Sequence, residues 1–286
     1  MIKIKLAGFA DEAGNSIDEQ ISALKENQVF GLELRSIDKI NVADFSTEQA
    51  NEYAKKLFDN GIFVWSLGSP LGKVDITTPI DEYFDKVKKV CETAKIFKAE
   101  RIRMFSFFKA YDEPNKVVDY LSKMVEIGND FGVLMCHENE KEVFGDTATR
   151  VQFLLDNVKG LKCVYDPANF VQMGEPCDKT LKMFHSKAEY FHIKDVDAKT
   201  DELVPAGHGD GGIDKLVSMI DRDVTLTLEP HLIEFDAFKS IDNTEMKHRF
   251  TFNNNKEAFS FATESLKKII LNNGYQYKNG VFVKGE

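Results

Sequence analysis

The sequence predicts an α/β fold, a single (β/α)8 TIM barrel, and three observations carry that prediction. Short apolar runs recur along the whole chain, each followed by a stretch whose apolar residues return at helical spacing. Several runs lack polar alternation. Gly132-Val133-Leu134-Met135-Cys136 reads as a strand buried on both faces, which is how strands of an all-parallel sheet look. The chain has 286 residues, and one such barrel uses about 250. A single domain, residues 1–286, therefore takes up the whole length.

Taken in order, Ile2 to Gly8 is strand one, and Phe9-Ala10-Asp11-Glu12-Ala13-Gly14 is a polar loop after it. Ile17, Ile21 and Leu24 share one face of a helix over residues 17–27. Gly31-Leu32-Glu33-Leu34-Arg35 is strand two. Ser46 caps the next helix with Gln49 three residues on, and Asn60-Gly61 stops it. Strand three, Ile62 to Leu67, runs into the loop Gly68-Ser69-Pro70-Leu71-Gly72. Thr78-Pro79 opens a long helix, where proline needs no N–H donor. Arg101 to Phe105 is strand four, Pro114 to Asp130 a helix, and the run from Gly132 strand five. A helix at Thr147 to Val158 precedes strand six, Leu161 to Tyr165. Lys179 to Phe184 is helical, Tyr190 to Ile193 strand seven, and Ile213 to Ile220 a short helix. Val224 to Leu228 is strand eight, and Lys256 to Asn272 the closing helix. Eight strand–helix units of about 30 residues imply right-handed parallel crossovers and a closed barrel. An open doubly wound sheet would carry a glycine-rich phosphate loop after strand one, and Gly8-Phe9-Ala10-Asp11 is not one. The long polar segment around 233–254 is expected over the active-site face, as a lid or a subunit contact.

A net charge of -10, spread along the chain, argues against a nucleic-acid partner. Cys91, Cys136, Cys163 and Cys177 show no C-x-x-C spacing, and two of them lie inside predicted strands. Those two, Cys136 and Cys163, read as small core residues in a reducing compartment. Met1-Ile2-Lys3-Ile4-Lys5-Leu6 leads straight into a strand, so no signal peptide is expected. No apolar run is long enough to cross a membrane. A cytoplasmic protein with no membrane partner is the expectation.

Four consecutive strands end in a residue able to ligate a metal: Glu138, Asp166, His192 and Glu229. One charged residue at a strand end is ordinary, but four at the same topological position favour one site at the carboxyl end of a barrel. Three carboxylates and one imidazole suit a single divalent ion, Mn²⁺, Mg²⁺ or Co²⁺, and tolerate Zn²⁺. Such an ion would polarise a carbonyl and acidify the neighbouring C–H, with Glu138 and Glu229 as the pair that takes and returns the proton. Paired carboxylates can also be ligands only. Lys194 is a candidate to bind a phosphate, carboxylate or hydroxyl of the substrate, or else to pair with Asp195 or another loop carboxylate. Arg35 and Arg103 are candidates for an anionic group, and His231 for the substrate. Trp65, Phe107 and Phe108 offer a stacking wall for a sugar, or core and rim packing. His208, in Gly207-His208-Gly209-Asp210-Gly211-Gly212, is a candidate to face the pocket from a flexible turn. His137 should point the other way along its strand, as a core histidine.

His137-Glu138-Asn139-Glu140, Asp166-Pro167-Ala168-Asn169-Phe170, His192-Ile193-Lys194-Asp195 and Leu228-Glu229-Pro230-His231, in this order, resemble the xylose-isomerase-like barrel superfamily. Gly31-Leu32-Glu33-Leu34-Arg35 and Arg103-Met104-Phe105-Ser106 resemble its second and fourth strands. That group of sugar phosphate isomerases and epimerases also holds ketose 3-epimerases, hydroxypyruvate isomerase, inosose dehydratase and endonuclease IV. The resemblance implies one divalent metal held by Glu138, Asp166, His192 and Glu229, with Glu138 and Glu229 as acid and base. Asn169 stands where the ketose 3-epimerases carry a substrate-binding histidine, a departure that weighs against that subgroup. Members are often dimers or tetramers, which leaves a homodimer and a homotetramer both open.

The expected activity is metal-dependent isomerisation or epimerisation of a small sugar, sugar phosphate or related polyol. A lyase of the inosose-dehydratase kind would share the first proton abstraction and then expel water. A metal-free glycoside hydrolase would use Glu138 and Glu229 as its two carboxylates. A non-catalytic sugar-binding barrel is the remaining alternative. A phosphodiesterase of the endonuclease IV kind needs more than the six histidines present and a basic groove.

Overall fold

Backbone groups at the edge of an open sheet go unpaired, and this chain removes its edges by closing the sheet. The computed structural model describes residues 1–233 and 250–285. In it, β1 (Ile2–Gly8), β2 (Gly31–Leu34), β3 (Phe63–Gly68), β4 (Arg101–Met104), β5 (Leu134–Glu138), β6 (Lys162–Tyr165), β7 (Ala188–Ile193) and β8 (Val224–Leu228) pair in chain order. The last strand returns to the first in parallel, with Ile4 beside Val224 and Gly8 beside Leu228. This is the (β/α)8 barrel the sequence predicts.

The crossover helices are α1 (Ile17–Glu26), α2 (Thr47–Asp59), α3 (Ile80–Ile96), α4 (Pro114–Asp130), α5 (Ala148–Asn157), α6 (Pro167–Gln172), α7 (Cys177–Phe184), α8 (Ile213–Ser218) and α9 (Asn255–Asn272). Ser46 and Gln49 form the capping box expected at α2, and Ser16 and Glu19 form a second at α1. The sequence reading missed α6, a single short stretch that begins directly after strand six. Asp166 caps it by accepting from Asn169 N–H, and Pro167 occupies its first turn, so the signal was present. A C-terminal hairpin, Gln276–Lys278 with Val281–Lys284, was missed as well. It lies antiparallel against the start of β1, Ile2 beside Lys284. Its turn is Asn279-Gly280, both at positive φ, the dipeptide that favours a tight hairpin. Residues 234–249 of the expected loop over the site lie outside the described residues. Among the described residues, no helix is long and apolar enough to cross a membrane.

The period of two along each strand sorts the side chains into two cores. Outward-facing apolar residues join the helices in one large cluster. Inside the barrel, Cys136, Val164 and Tyr190 pack with Trp65 and Leu134. One step along the same faces come Glu138, Asp166 and His192. The inner face is therefore apolar toward the amino end and ionisable toward the carboxyl end.

His137, between Cys136 and Glu138, faces outward into the shell as expected. Its Nε2 lies 2.9 Å from Ser106 Oγ, and a Cβ at Gly145 would meet its ring at 2.4 Å. Burial pushes its pKa from 6.5 down to about 4. Below 6.5 the unfolded chain takes up a proton that the folded chain refuses, so stability present above that pH is lost as it falls toward 4. The loss should be on the order of 3 kcal/mol. Urea midpoints measured at neutral and acid pH should converge in His137→Gln, which lacks the titrating group.

Candidate metal centre

Glu138 ends β5, Asp166 follows β6, His192 lies one residue from the end of β7, and Glu229 follows β8. The barrel brings all four together. One ligand atom from each lies within 4.8 Å of the others, and all four residues are buried. His192 Nδ1 lies 3.1 Å from Glu138 Oε1 and 3.1 Å from Glu229 Oε2. Lys194 Nζ stands 2.9 Å from Asp166 Oδ2 and 3.6 Å from Glu229 Oε2. That is ion-pairing range, yet Asp166 Oδ2 and Glu229 Oε2 accept no hydrogen bond among the described residues. Two buried carboxylate oxygens without a donor, beside an imidazole nitrogen, are a fitting set for a divalent cation.

Charge in the cluster is balanced internally. Burial opposes ionisation of Glu138, but the protonated His192 and the Arg103 guanidinium overcome it and hold the carboxyl down at about 2. Burial likewise opposes a charge on Glu229, and Lys194 and His192 keep it well below the usual range. Asp166 is pushed up to about 7 by burial and by the charges of Glu138 and Glu229, against the pull of Lys194. Burial disfavours a proton on His192, but Glu138, Glu33 and Glu229 raise its pKa well above 6.5. Metal ligation needs the neutral imidazole, so a cation entering here displaces protons.

The supporting residues were only partly legible in the sequence. Glu33, on β2, is fully buried; its Oε2 lies 3.2 Å from His192 Nε2, and its Oε1 accepts from Tyr190 Oη at 2.7 Å. That pairing leaves His192 Nδ1 for the cluster. A carboxylate inside an apolar strand was the available signal. Asn139 was also overlooked: it clamps the Asp166 backbone, accepting from its N–H at 2.9 Å and donating to its carbonyl at 2.8 Å. Asn169 Nδ2 donates to Glu138 Oε1 at 3.3 Å and to the Asn139 carbonyl at 2.8 Å, so it borders the cluster through protein groups.

Both candidate anion-binding arginines are turned onto protein carboxylates. Arg103 Nη1 donates to Glu138 Oε2 at 2.7 Å. Arg35 donates to both oxygens of Asp11, at 2.8 and 2.9 Å, to Glu12 at 3.2 Å and to Glu229 Oε1 at 3.3 Å. His231 stands beside it, with Nε2 3.4 Å from Arg35 Nη1 and its backbone N–H on Glu12 Oε2. Lys194 pairs with Asp166 rather than Asp195. The latter gathers the N–H groups of Val196, Gly207, Gly209 and Gly211 at 2.8–3.1 Å and so fixes the loop after β7.

Of the two alternatives for the aromatic residues, packing holds for Trp65 and Phe107, and His208 lies away from the cluster. Trp65 does not wall the site: it packs inside the barrel against Tyr190, with the Arg101 guanidinium 3.9 Å from its ring. Phe107 turns into the shell against Tyr83 and Tyr120, while Phe108 bridges Asp75 and Val143 through its backbone. His208 is exposed, edge-on to Phe250, in a groove with Phe261 and Lys268 of α9. The rings beside the cluster are instead Phe9, edge-on to His192 at 5.3 Å, and Phe105, under Arg103 and Lys73. Phe9 lay in a segment read as a polar loop.

The family model for the xylose isomerase-like TIM barrel matches residues 22–239. No curated protein matches the chain. Among solved structures, an L-ribulose 3-epimerase aligns with a TM-score of 0.73 at 15% identity, over 96% of each chain. The probable 3-DHS dehydratase AsbF of Bacillus anthracis aligns at 0.71 and 16% identity, over 93% of this chain and 99% of its own. The IOLI protein with a bound zinc atom aligns at 0.71 and 15%, over 95% and 99%. At these identities the likeness is one of fold.

Calorimetric titration with Zn²⁺ or Mn²⁺ should give one ion per chain with proton release, and Asp166→Ala and His192→Ala should lose it. Glu33→Gln should keep the ion but bind it about 10- to 100-fold more weakly. Unchanged affinity in Glu33→Gln would show that the Glu33 contact does not set the imidazole.

Proposed function

The chain belongs to the xylose isomerase-like TIM barrel family, and from that premise we propose that it is a divalent-metal-dependent isomerase or epimerase of a small sugar or sugar phosphate. The observation that carries the reading is the paired treatment of the two glutamates. Glu138 has one oxygen on Arg103 and Glu229 one on Arg35, and in each the other oxygen lies 3.1 Å from His192 Nδ1. Glu138, Asp166, His192 and Glu229 would hold the ion. When bound, it supplies electrophilic polarisation of a substrate carbonyl, which acidifies the adjoining C–H.

The chain's own residues do the rest. His192 and Arg103 favour the ionised form of Glu138, and Lys194 and His192 that of Glu229, which a base needs if it is to take a proton from carbon. One glutamate removes the proton and the other returns it, to the neighbouring carbon for isomerisation or to the opposite face for epimerisation. Lys194 borders both Asp166 and Glu229 and is suited to hold a substrate oxygen as charge develops on it. Phe9 and Phe105 offer apolar surface to a sugar's C–H face.

A lyase is the second reading. It is favoured by the same cation: Lys194 can donate a proton to a departing hydroxyl, and the family fold is shared with a probable dehydratase. A metal-free glycoside hydrolase needs only two carboxylates. It gives no reason for Asp166 and His192 to converge with them.

The deciding experiment is a screen of sugars and sugar phosphates with the metal-loaded protein in deuterated water. Deuterium should enter next to the carbonyl of a turned-over substrate, and loss of water would mark the lyase. Glu229→Gln should keep the fold and lower turnover by about 100- to 10,000-fold. Metal binding with no deuterium in any sugar would leave a non-catalytic binding barrel.

A further inference from the structure

A second cluster of ligand-type atoms adjoins the first. Glu12, Glu229 and His231 bring two carboxylates and an imidazole within 4.8 Å of one another, all buried, and Glu229 belongs to both clusters. Two neighbouring cations sharing such a carboxylate would make a two-metal centre, which clamps both oxygens of a displacement reaction. The second position is already filled. Arg35 Nη2 lies 3.2 Å from Glu12 Oε1, and Nη1 lies 3.3 Å from Glu229 Oε1 and 3.4 Å from His231 Nε2.

A metal bound by these three atoms must approach each to about 2.0–2.2 Å. The guanidinium and such an ion would therefore contend for the same space. Arginine cannot vacate it by losing its charge. Nor can it swing aside easily. Asp11 grips Nε and Nη2 at 2.8 and 2.9 Å, Ser36 Oγ donates to Asp11 Oδ2 at 2.8 Å, and the guanidinium carbon lies 4.4 Å from the centre of the Phe9 ring.

We propose that Arg35 is the resident cation of the second cluster and holds this centre to a single metal ion. The inference rests on the metal reading of the first cluster. Arg35 links Asp11, Glu12 and Glu229 through one fixed side chain. It also ties up Glu229 Oε1, so that only Oε2 is turned toward the first cluster. A one-ion site suits proton transfer beside a carbonyl and lacks the paired cations of two-metal phosphoester cleavage.

The test is metal content per chain in excess Mn²⁺ or Zn²⁺, by native mass spectrometry, with circular dichroism as the check on folding. Wild type and Arg35→Lys should saturate at one ion. Arg35→Met should take two, and Arg35→Met/His231→Ala should return to one. A folded Arg35→Met that still takes one ion, lost with Asp166→Ala, overturns this proposal alone. So does a second ion on wild type that His231→Ala removes, a result that stands even if Arg35→Met does not fold. No ion on wild type sinks the first-cluster reading and with it the single-ion proposal, even where Arg35→Met takes up one ion that His231→Ala removes. No ion on either overturns both.

Discussion

Three carboxylates buried around one imidazole set the terms for everything at the carboxyl end of this barrel. Taking a charge out of water costs several kcal/mol unless a partner replaces the lost solvation. Glu138, Asp166 and Glu229 each have such a partner: Arg103, Lys194 and Arg35 in turn, with a proton on His192 shared between the glutamates. Each cation stands against a carboxylate oxygen, Arg103 on Glu138 Oε2, Lys194 by Asp166 Oδ2 and Arg35 on Glu229 Oε1. A carboxylate cluster thus holds itself together with cations of its own.

That compensation reaches outward in layers. Arg35 needs Asp11, and Asp11 takes a further bond from Ser36. His192 needs Glu33, and Glu33 takes one from Tyr190, which belongs to the apolar layer beneath. The ionisable ring is therefore bolted to the packed interior of the barrel. The loops above it are fixed differently. Asp195 ties down the turn after β7 through four backbone N–H groups, where a Cβ at Gly209 would meet its carboxylate at 2.5 Å. Gly72, at φ +85, lies so close to the Phe105 carbonyl that any side chain would displace the end of β4.

Much of this was legible from the sequence. Apolar runs ending in Glu138, Asp166, His192 and Glu229 identified both the strands and the end at which their polar residues gather. His137 was placed outward by strand alternation alone. The points the sequence leaves open share a cause. Trp65 and Phe107 carry two readings in the sequence, a stacking wall or core packing; Trp65 falls at the register shift against β2 and Phe107 at positive φ, and both rings pack into the protein. Arg35 and Arg103 are candidates for an anionic group in the sequence, because a sequence shows a cation without its counter-ion.

What the sequence by itself determined was the order of strands, the face each residue occupies and the kind of atoms brought to the barrel mouth. Those follow from periods of two and 3.6, which are local properties of the chain. Only the tertiary structure decided which atoms meet. Arg35 reaches Glu229 across 194 residues, and His192 reaches Glu33 across 159. Such pairings depend on how the closed sheet staggers its strands, a global constraint that no single segment encodes. The four clustered residues were therefore written in the strand endings, and the charges that hold them were written in the closure.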